Sequence, residues 1–358
     1  MTPLFKKASK ITNLKYLFFL KVCRIVVLLY NPNVHKSKIL ILSGSNIMKS
    51  DLSHQNELKY LFKTGDRLYS IGQLETALKN FQRALDITRL INQKEQRLDL
   101  VYRIGLVHYK IGEYANALKY IELALELAQN NENEAKVATI YNKKGQIHYF
   151  LEEYSAALKC YSQALIIFRK IKDVVGTGKT INHISTIYNL TELSDKSLEY
   201  SRKSLKIFQK LAESAKNDKL TIKVNESIAL HNMGEAYFLI SRPRQAKVFL
   251  ELALEIRQKL WEDSLDRLAI TVNNIPKVEK NHYSRHVYPQ KMATYEQKEK
   301  DGFRRSIFAE YGKNLVKTLD LLGKVYQNIG QDNKAKNYHQ QAIEISEKVN
   351  SNDCLVTA

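Results

Sequence analysis

Cysteine is nearly absent from this chain: 358 residues carry three, Cys23, Cys160 and Cys354. They are scattered and odd in number, with no C-x-x-C pair to hold zinc or run redox chemistry, which fits a reducing compartment and a cytoplasmic location. No run of eighteen uninterrupted apolar residues occurs, so nothing in the composition demands a bilayer. Also missing are a Gly-rich phosphate loop, H-E-x-x-H, G-x-S-x-G and any kinase-type signature. The expectation is a chain that is not an enzyme and has no cofactor and no metal site.

Acid is missing from one stretch in particular. Residues 1–47 hold eight Lys or Arg and no Asp or Glu, nearly half of the formal net charge of +19. Their apolar segment from Tyr16 to Tyr30 is interrupted by Lys21 and Arg24, too short and too charged for a membrane helix. As a signal peptide its core is broken and no A-x-A-like site follows. Met48 opens a polar lead-in, so two readings stand: a start at Met48, or a genuine leader lying on an anionic membrane surface. Membrane association would rest on residues 1–47 alone.

What is there is a repeat. Gly65, Ala77 and Ala84 recur as Gly105, Ala117 and Ala124 and again as Gly145, Ala157 and Ala164, at a spacing of 40 residues. Phe81, Ile121 and Tyr161 share one column of bulky residues, and Tyr69, Tyr109 and Tyr149 another. Each unit reads as two antiparallel helices joined by a short turn, with Gly72 and Gly112 suited to a left-handed helix end. A mid-helix glycine costs about 1 kcal/mol against alanine, so its recurrence implies a close neighbour, for which the second-helix alanines are the candidates. One such pair cannot bury its own apolar face, so stability has to come from stacking.

Small residues at the eighth, twentieth and twenty-seventh positions of a helix-turn-helix, with aromatics between, resemble the tetratricopeptide repeat. The period is 40 rather than the family's usual 34, and the closing proline is missing, which implies longer second helices. This is similar to the longer subclass found in kinesin light chains, in bacterial repeat arrays and in peptide-sensing Rap-type regulators. The resemblance implies an all-α, right-handed α-solenoid of about six units.

The expected layout is a leader (1–47), five repeats (48–261), an irregular insertion (262–312), a sixth, capping repeat (313–350) and a tail (351–358). In the fourth unit Ser185, Ser197 and Ser204 take the small-residue columns, and extra residues around 213–218 lengthen the link to the fifth, which resumes with Gly234, Tyr237, Ala246 and Ala253. Pro243 lies in its turn. Within the insertion, Pro276 and Pro289 bracket a polar, aromatic-bearing stretch read as an exposed loop or a binding element. Gly323, Tyr326, Ala335 and Ala342 mark the last unit, whose second helix is polar, as a cap requires.

In the resembled family the first helix of each pair lines a concave groove. Its binding columns fall here on Lys63, Tyr102, Arg103, Asn142, Lys143, Asn182, His183 and Asn232. The cations among them would favour a protein or peptide partner with acidic groups. The asparagines can donate and accept at once, which suits the backbone of an extended peptide, although the same residues are also what ordinary solvated faces carry. His108 and His148 occupy equivalent positions and read as packed side chains rather than metal ligands, with no Cys or carboxylate column beside them. No small-molecule substrate is implied. Nucleic acid is disfavoured, because 37 acids are interspersed and no recognition motif appears. The function expected is a non-enzymatic adaptor or scaffold binding a peptide or protein segment in the groove. The alternatives are a Rap-like regulatory peptide sensor and, less favoured, a nucleic-acid-associated basic protein.

Overall fold

The computed structural model describes residues 44–214, 218–273 and 287–350. The leader up to residue 43, the segment around Pro276 and the tail 351–358 lie outside the described residues. The chain divides at Leu52 and Ser53 into two units. Of the first, the described part is the opening of one helix; the second, Ser53–Ala358, holds the repeats.

Twelve helices and no strand are found among the described residues. In chain order they are α1 (Gly44–Ser70), α2 (Leu74–Leu90), α3 (Lys94–Ile111), α4 (Tyr114–Asn130), α5 (Glu134–Phe150) and α6 (Tyr154–Lys170). They continue as α7 (Val174–Leu190), α8 (Ser194–Ala212), α9 (Lys219–Leu239), α10 (Pro243–Asn273), α11 (Val287–Asn328) and α12 (Asp332–Asn350). From α2 onward each helix packs on the next in sequence, α7 also packs directly on α9, and α1 meets α2 through Gly65, Phe62 and Phe81. Six antiparallel pairs stacked in this way form an α-solenoid.

The turns are built alike. Within all six pairs a residue two or three past the helix end donates its N–H back five residues, as in Gln73 to Leu68 O and Glu113 to His108 O at 2.9 Å. Glu153 to His148 O, Leu193 to Tyr188 O, Arg242 to Tyr237 O and Gln331 to Tyr326 O repeat it at 2.8–2.9 Å. This is the Schellman closure, which needs a left-handed residue. Gly72, Gly112 and Gly330 supply it at φ of 80°, 92° and 81°, and Glu152, Glu192 and Ser241 supply it with a side chain at φ of 57–60°. Pro243 opens α10, where its missing N–H would have had no helical partner anyway. Asp218 caps α9 by accepting from Leu220 N at 3.0 Å, so the lengthened link leaves the stack continuous.

The nearest neighbour of the glycine column is a bulky side chain, although the carbonyl oxygen of one second-helix alanine, Ala246, also lies 3.2 Å from where a Cβ on Gly234 would stand. A Cβ on Gly65 would sit 2.5 Å from the Phe81 ring, on Gly145 2.6 Å from the Tyr161 ring and on Gly105 3.0 Å from Ile121 Cδ1. On Gly234 it would meet Leu250 and on Gly323 His339, both at 2.5 Å. The bulky residue sixteen positions later therefore fills the space the glycine leaves. In the fourth pair the device moves: Ser185 and Ser201 are both fully buried, and Gly178 receives the Phe208 ring at 2.7 Å.

Residues 262–273 prolong α10 and residues 287–312 open α11, so where described this stretch is helical rather than irregular. Its polar sequence lacks the small-residue columns that mark the other helices. Pro289 is tolerated because it falls in the first turn of α11. Trp261 on α10 stacks on Phe308 of α11 at 5.6 Å, so this extension is tied to the fifth pair.

Candidate functional site

The odd-numbered helices, the first of each pair, are joined side by side through polar groups. Arg103 of α3 places Nε 3.0 Å from Asp66 Oδ1 of α1, and Lys136 of α5 pairs with Asp99 of α3 at 2.5 Å. Lys110 lies over the Tyr69 ring at 4.5 Å and Lys143 over the Tyr109 ring at 4.7 Å, each reaching to the preceding pair. Gln146 of α5 meets His183 Nε2 of α7 at 3.0 Å and accepts from Lys143 Nζ at 2.5 Å.

Between the fourth and fifth pairs the seam becomes a buried network. Asn182 Nδ2 donates to Asn225 O at 3.0 Å, and Asn232 Nδ2 contacts Ser185 Oγ at 2.6 Å, Thr186 Oγ1 at 3.0 Å and Asn182 O at 3.3 Å. Asn189 Nδ2 donates to Glu235 Oε2 at 2.8 Å and to Asn232 O at 3.0 Å. Thr318 of α11 extends the seam to His231 Nδ1 at 3.3 Å.

The expected groove residues fall into distinct groups. Lys63 is exposed on α1. Arg103 is committed to Asp66, whose carboxyl is raised by burial in spite of that cation. Tyr102 is buried in the core shared by the first three pairs, covered by Lys136 at 5.2 Å, and burial pushes its hydroxyl up to about 12. It is therefore not placed to contact a partner with its ring face. Asn182 and Asn232 are 1 % and 3 % exposed, and their amide nitrogens hold the helices together, because a buried amide must find partners locally. That differs from the expectation that both line the groove with their full side chains. Lys143, Asn142 and His183 remain half-buried on adjacent odd helices.

The electrostatics of this trio are unusual. Burial, reinforced by Lys110, lowers the Lys143 ammonium to about 8, and Glu310 of α11 partly counters it. Glu310 acts on Lys110 in the same sense. His183 is stacked on Tyr161 at 5.3 Å and held near 4 by burial and by Lys143 and Lys179. It is neutral, and one of its ring nitrogens faces the Gln146 amide. Three amide oxygens along the seam, Oδ1 of Asn142, Asn182 and Asn189, are buried and have no donor.

Buried Asn189 and Arg257 and exposed Lys317 adjoin the same seam, and the sequence alone does not single them out. Lys317 was within reach, since it stands in the sixth pair where Lys179 stands in the fourth, counted from the small-residue column. Arg257 lies on a second helix, outside any first-helix column. Among the described residues no group of three or more His, Cys, Asp or Glu side chains is arranged to hold a metal ion. Nor is any described helix long and apolar enough to cross a membrane.

The family model of the tetratricopeptide repeat matches residues 97–170 and 136–210, and a second model of the same repeat matches residues 315–353. No curated protein matches the chain. Among solved structures, aspartyl phosphate phosphatase F from Bacillus subtilis is similar with a TM-score of 0.55 at 12 % identity, over 94 % of this chain and 82 % of that one. RapI in its apo form gives 0.54 at 13 % identity, over 82 % and 98 %. The Rap conjugation gene regulator of the plasmid pLS20, solved with the Phr* peptide, gives 0.50 at 11 % identity, over 92 % and 83 %. These likenesses concern the fold. Six stacked helix pairs, five of them sharing a glycine-and-bulk packing rule, together with models of the tetratricopeptide repeat that match residues 97–210 and 315–353, show that this chain carries tetratricopeptide repeats.

Proposed function

We propose that the chain binds an extended peptide or protein segment along the odd-helix seam, as a non-enzymatic adaptor. The observation that carries this reading is the donor-less amide oxygen of half-buried Asn142, beside Lys143 and across from His183 on the adjacent odd helix. A buried acceptor without a donor costs about 1–3 kcal/mol, and a backbone N–H of an extended segment would satisfy it. Asn142, Lys143 and His183 are the residues proposed to contact the segment, with Lys63 and Arg103 flanking them and Asn182 and Asn232 fixing the helices from below. Tyr102 contributes by stiffening α3.

A regulatory peptide sensor is the second reading. It is favoured by the likeness to the regulator of pLS20, a protein of the same fold held with the Phr* peptide. Fold likeness alone does not transfer function, so the seam residues have to decide. The test is retention of a fluorescent nonapeptide library on the immobilised full chain. Combining Asn142→Ala with Lys143→Ser should lower retained peptide at least tenfold while the circular dichroism spectrum stays unchanged. Equal retention by this variant would remove the seam as the binding surface.

A further inference from the structure

One rim of the array, where each first helix turns into its partner, carries more apolar surface than the fold requires. The last or next-to-last residues of the six first helices form a column: Ser70, Lys110, Phe150, Leu190, Leu239 and Asn328. It is polar at both ends of the array and large and apolar in the third, fourth and fifth pairs. Phe150, Leu190 and Leu239 are 49 %, 45 % and 43 % exposed, and Leu151 and Leu193 stand on the same turns at 37 % and 45 %. Phe150 also stacks on Tyr114 of the preceding pair at 5.8 Å, so the strip runs on into aromatic surface there. Single apolar side chains on a surface are ordinary, whereas a strip sustained over three neighbouring turns marks a place where a partner docks.

The charges on these turns are uneven. The third turn holds Glu152 and Glu153 and the fourth holds Glu192, all exposed. Glu153 also meets His148 Nδ1 at 2.6 Å. Glu152 and Glu192 take the left-handed position at φ of 60° and 57°, where the first, second and sixth turns use Gly72, Gly112 and Gly330. Glycine fits that conformation without strain, so an acid stands there at a cost to the fold. Lys196, the next cation along α8, lies over the Tyr188 ring at 5.5 Å, and Arg242 and Arg244 belong to the fifth turn.

Spacing points to a helix. Packed helices lie about 8–10 Å apart and seven residues of a helix rise about 10.5 Å, so a helix laid along the rim meets successive turns with every seventh residue. We propose that the strip docks an amphipathic helix of a partner protein, apolar along one face and basic at the end that lies on the third and fourth turns. Phe150, Leu190 and Leu239 receive the apolar face, and Glu152 and Glu192 receive the cations. This surface is separate from the seam and stands whether or not the seam binds a peptide.

The experiment uses the full chain and three fluorescent helical peptides of about 18 residues: a leucine stripe with lysines at one end, the same peptide with glutamates for the lysines, and the lysine peptide with its stripe scrambled. Fluorescence anisotropy should show the first held at least tenfold more tightly than either control. Phe150→Ser combined with Leu190→Asn installs residue types that the column already carries as Ser70 and Asn328, so circular dichroism should be unchanged and affinity should fall at least tenfold. Glu152→Gly combined with Glu192→Gly should unfold at no lower temperature than the wild type, while the preference for lysine over glutamate shrinks at least threefold. The seam variant carrying Asn142→Ala and Lys143→Ser should hold the lysine peptide as the wild type does. Equal affinity for the lysine and glutamate peptides, or affinity untouched by the Phe150 and Leu190 changes, overturns the proposal. A dimer, or uptake on phosphatidylcholine vesicles, that those changes abolish gives the strip to a second copy or to lipid and overturns it as well.

Discussion

At the scale of single residues, the fold is a matter of who fills the space a glycine leaves. Gly145 and Gly105 occupy one column but face different partners, a tyrosine ring at 2.6 Å and an isoleucine Cδ1 at 3.0 Å. An added methyl against the fully packed Tyr161 ring has nowhere to go, whereas the end of Ile121 can change rotamer. Gly145→Ala should therefore cost about 1–3 kcal/mol. Gly105→Ala should cost clearly less, and chemical denaturation of the two variants checks the order. His183 offers a pH test. Its folded value near 4 lies below the usual 6.5, so its contribution is complete above pH 6.5 and is lost as pH falls towards 4. Burial raises Glu235 and Asp66, which titrate in the opposite sense. The comparison is therefore between the wild type and His183→Gln: the stability difference should shrink as pH drops from 7 to 4, and a constant difference would rule the mechanism out.

At the scale of elements, the helix pairs were legible in the sequence because packing at a glycine or alanine leaves a mark on the residue type. About six pairs are expected, and six are present among the described residues. The column of glycines was read correctly as a close approach, yet its partner was not. Alanine and the bulky residue recur with the same period, and only geometry separates them. The helices within 262–273 and 287–312 left no such mark, since a helix docked through Trp261 and Phe308 needs no small-residue column. Asn182 and Asn232 stand in columns that suit a groove, and the sequence could not show that α7 packs directly on α9 and buries both. That contact predicts its own weak point. Asn232→Ala takes away the amide donor that the Ser185 and Thr186 hydroxyls accept from, at about 1–3 kcal/mol, while the Asn182 carbonyl keeps both hydroxyls as donors. Amide exchange should accelerate in α7 and α9 ahead of α3 and α4, and uniform acceleration along the chain would contradict this.

At the scale of the whole array, large apolar clusters occupy the first three pairs and the last two, and between them smaller apolar clusters share the fourth pair with buried serine, threonine and asparagine. Contacts that run only between neighbours make stability a sum of unit and interface terms. The left-handed turn residues set the spacing of those units: residues 72, 92, 112, 132, 152, 172 and 192 all take positive φ, one in every twenty. A helix of 17 or 18 residues with a turn of three or two thus forms an interchangeable part of twenty residues. Excising residues 113–152 would splice Gly112 to Glu153 and Tyr154, where the intact chain has Gly112, Glu113 and Tyr114. The junction would be spelled as before, so duplication or loss of a whole unit in the gene passes through this turn unchanged, and the array can lengthen or shorten without inventing a new joint.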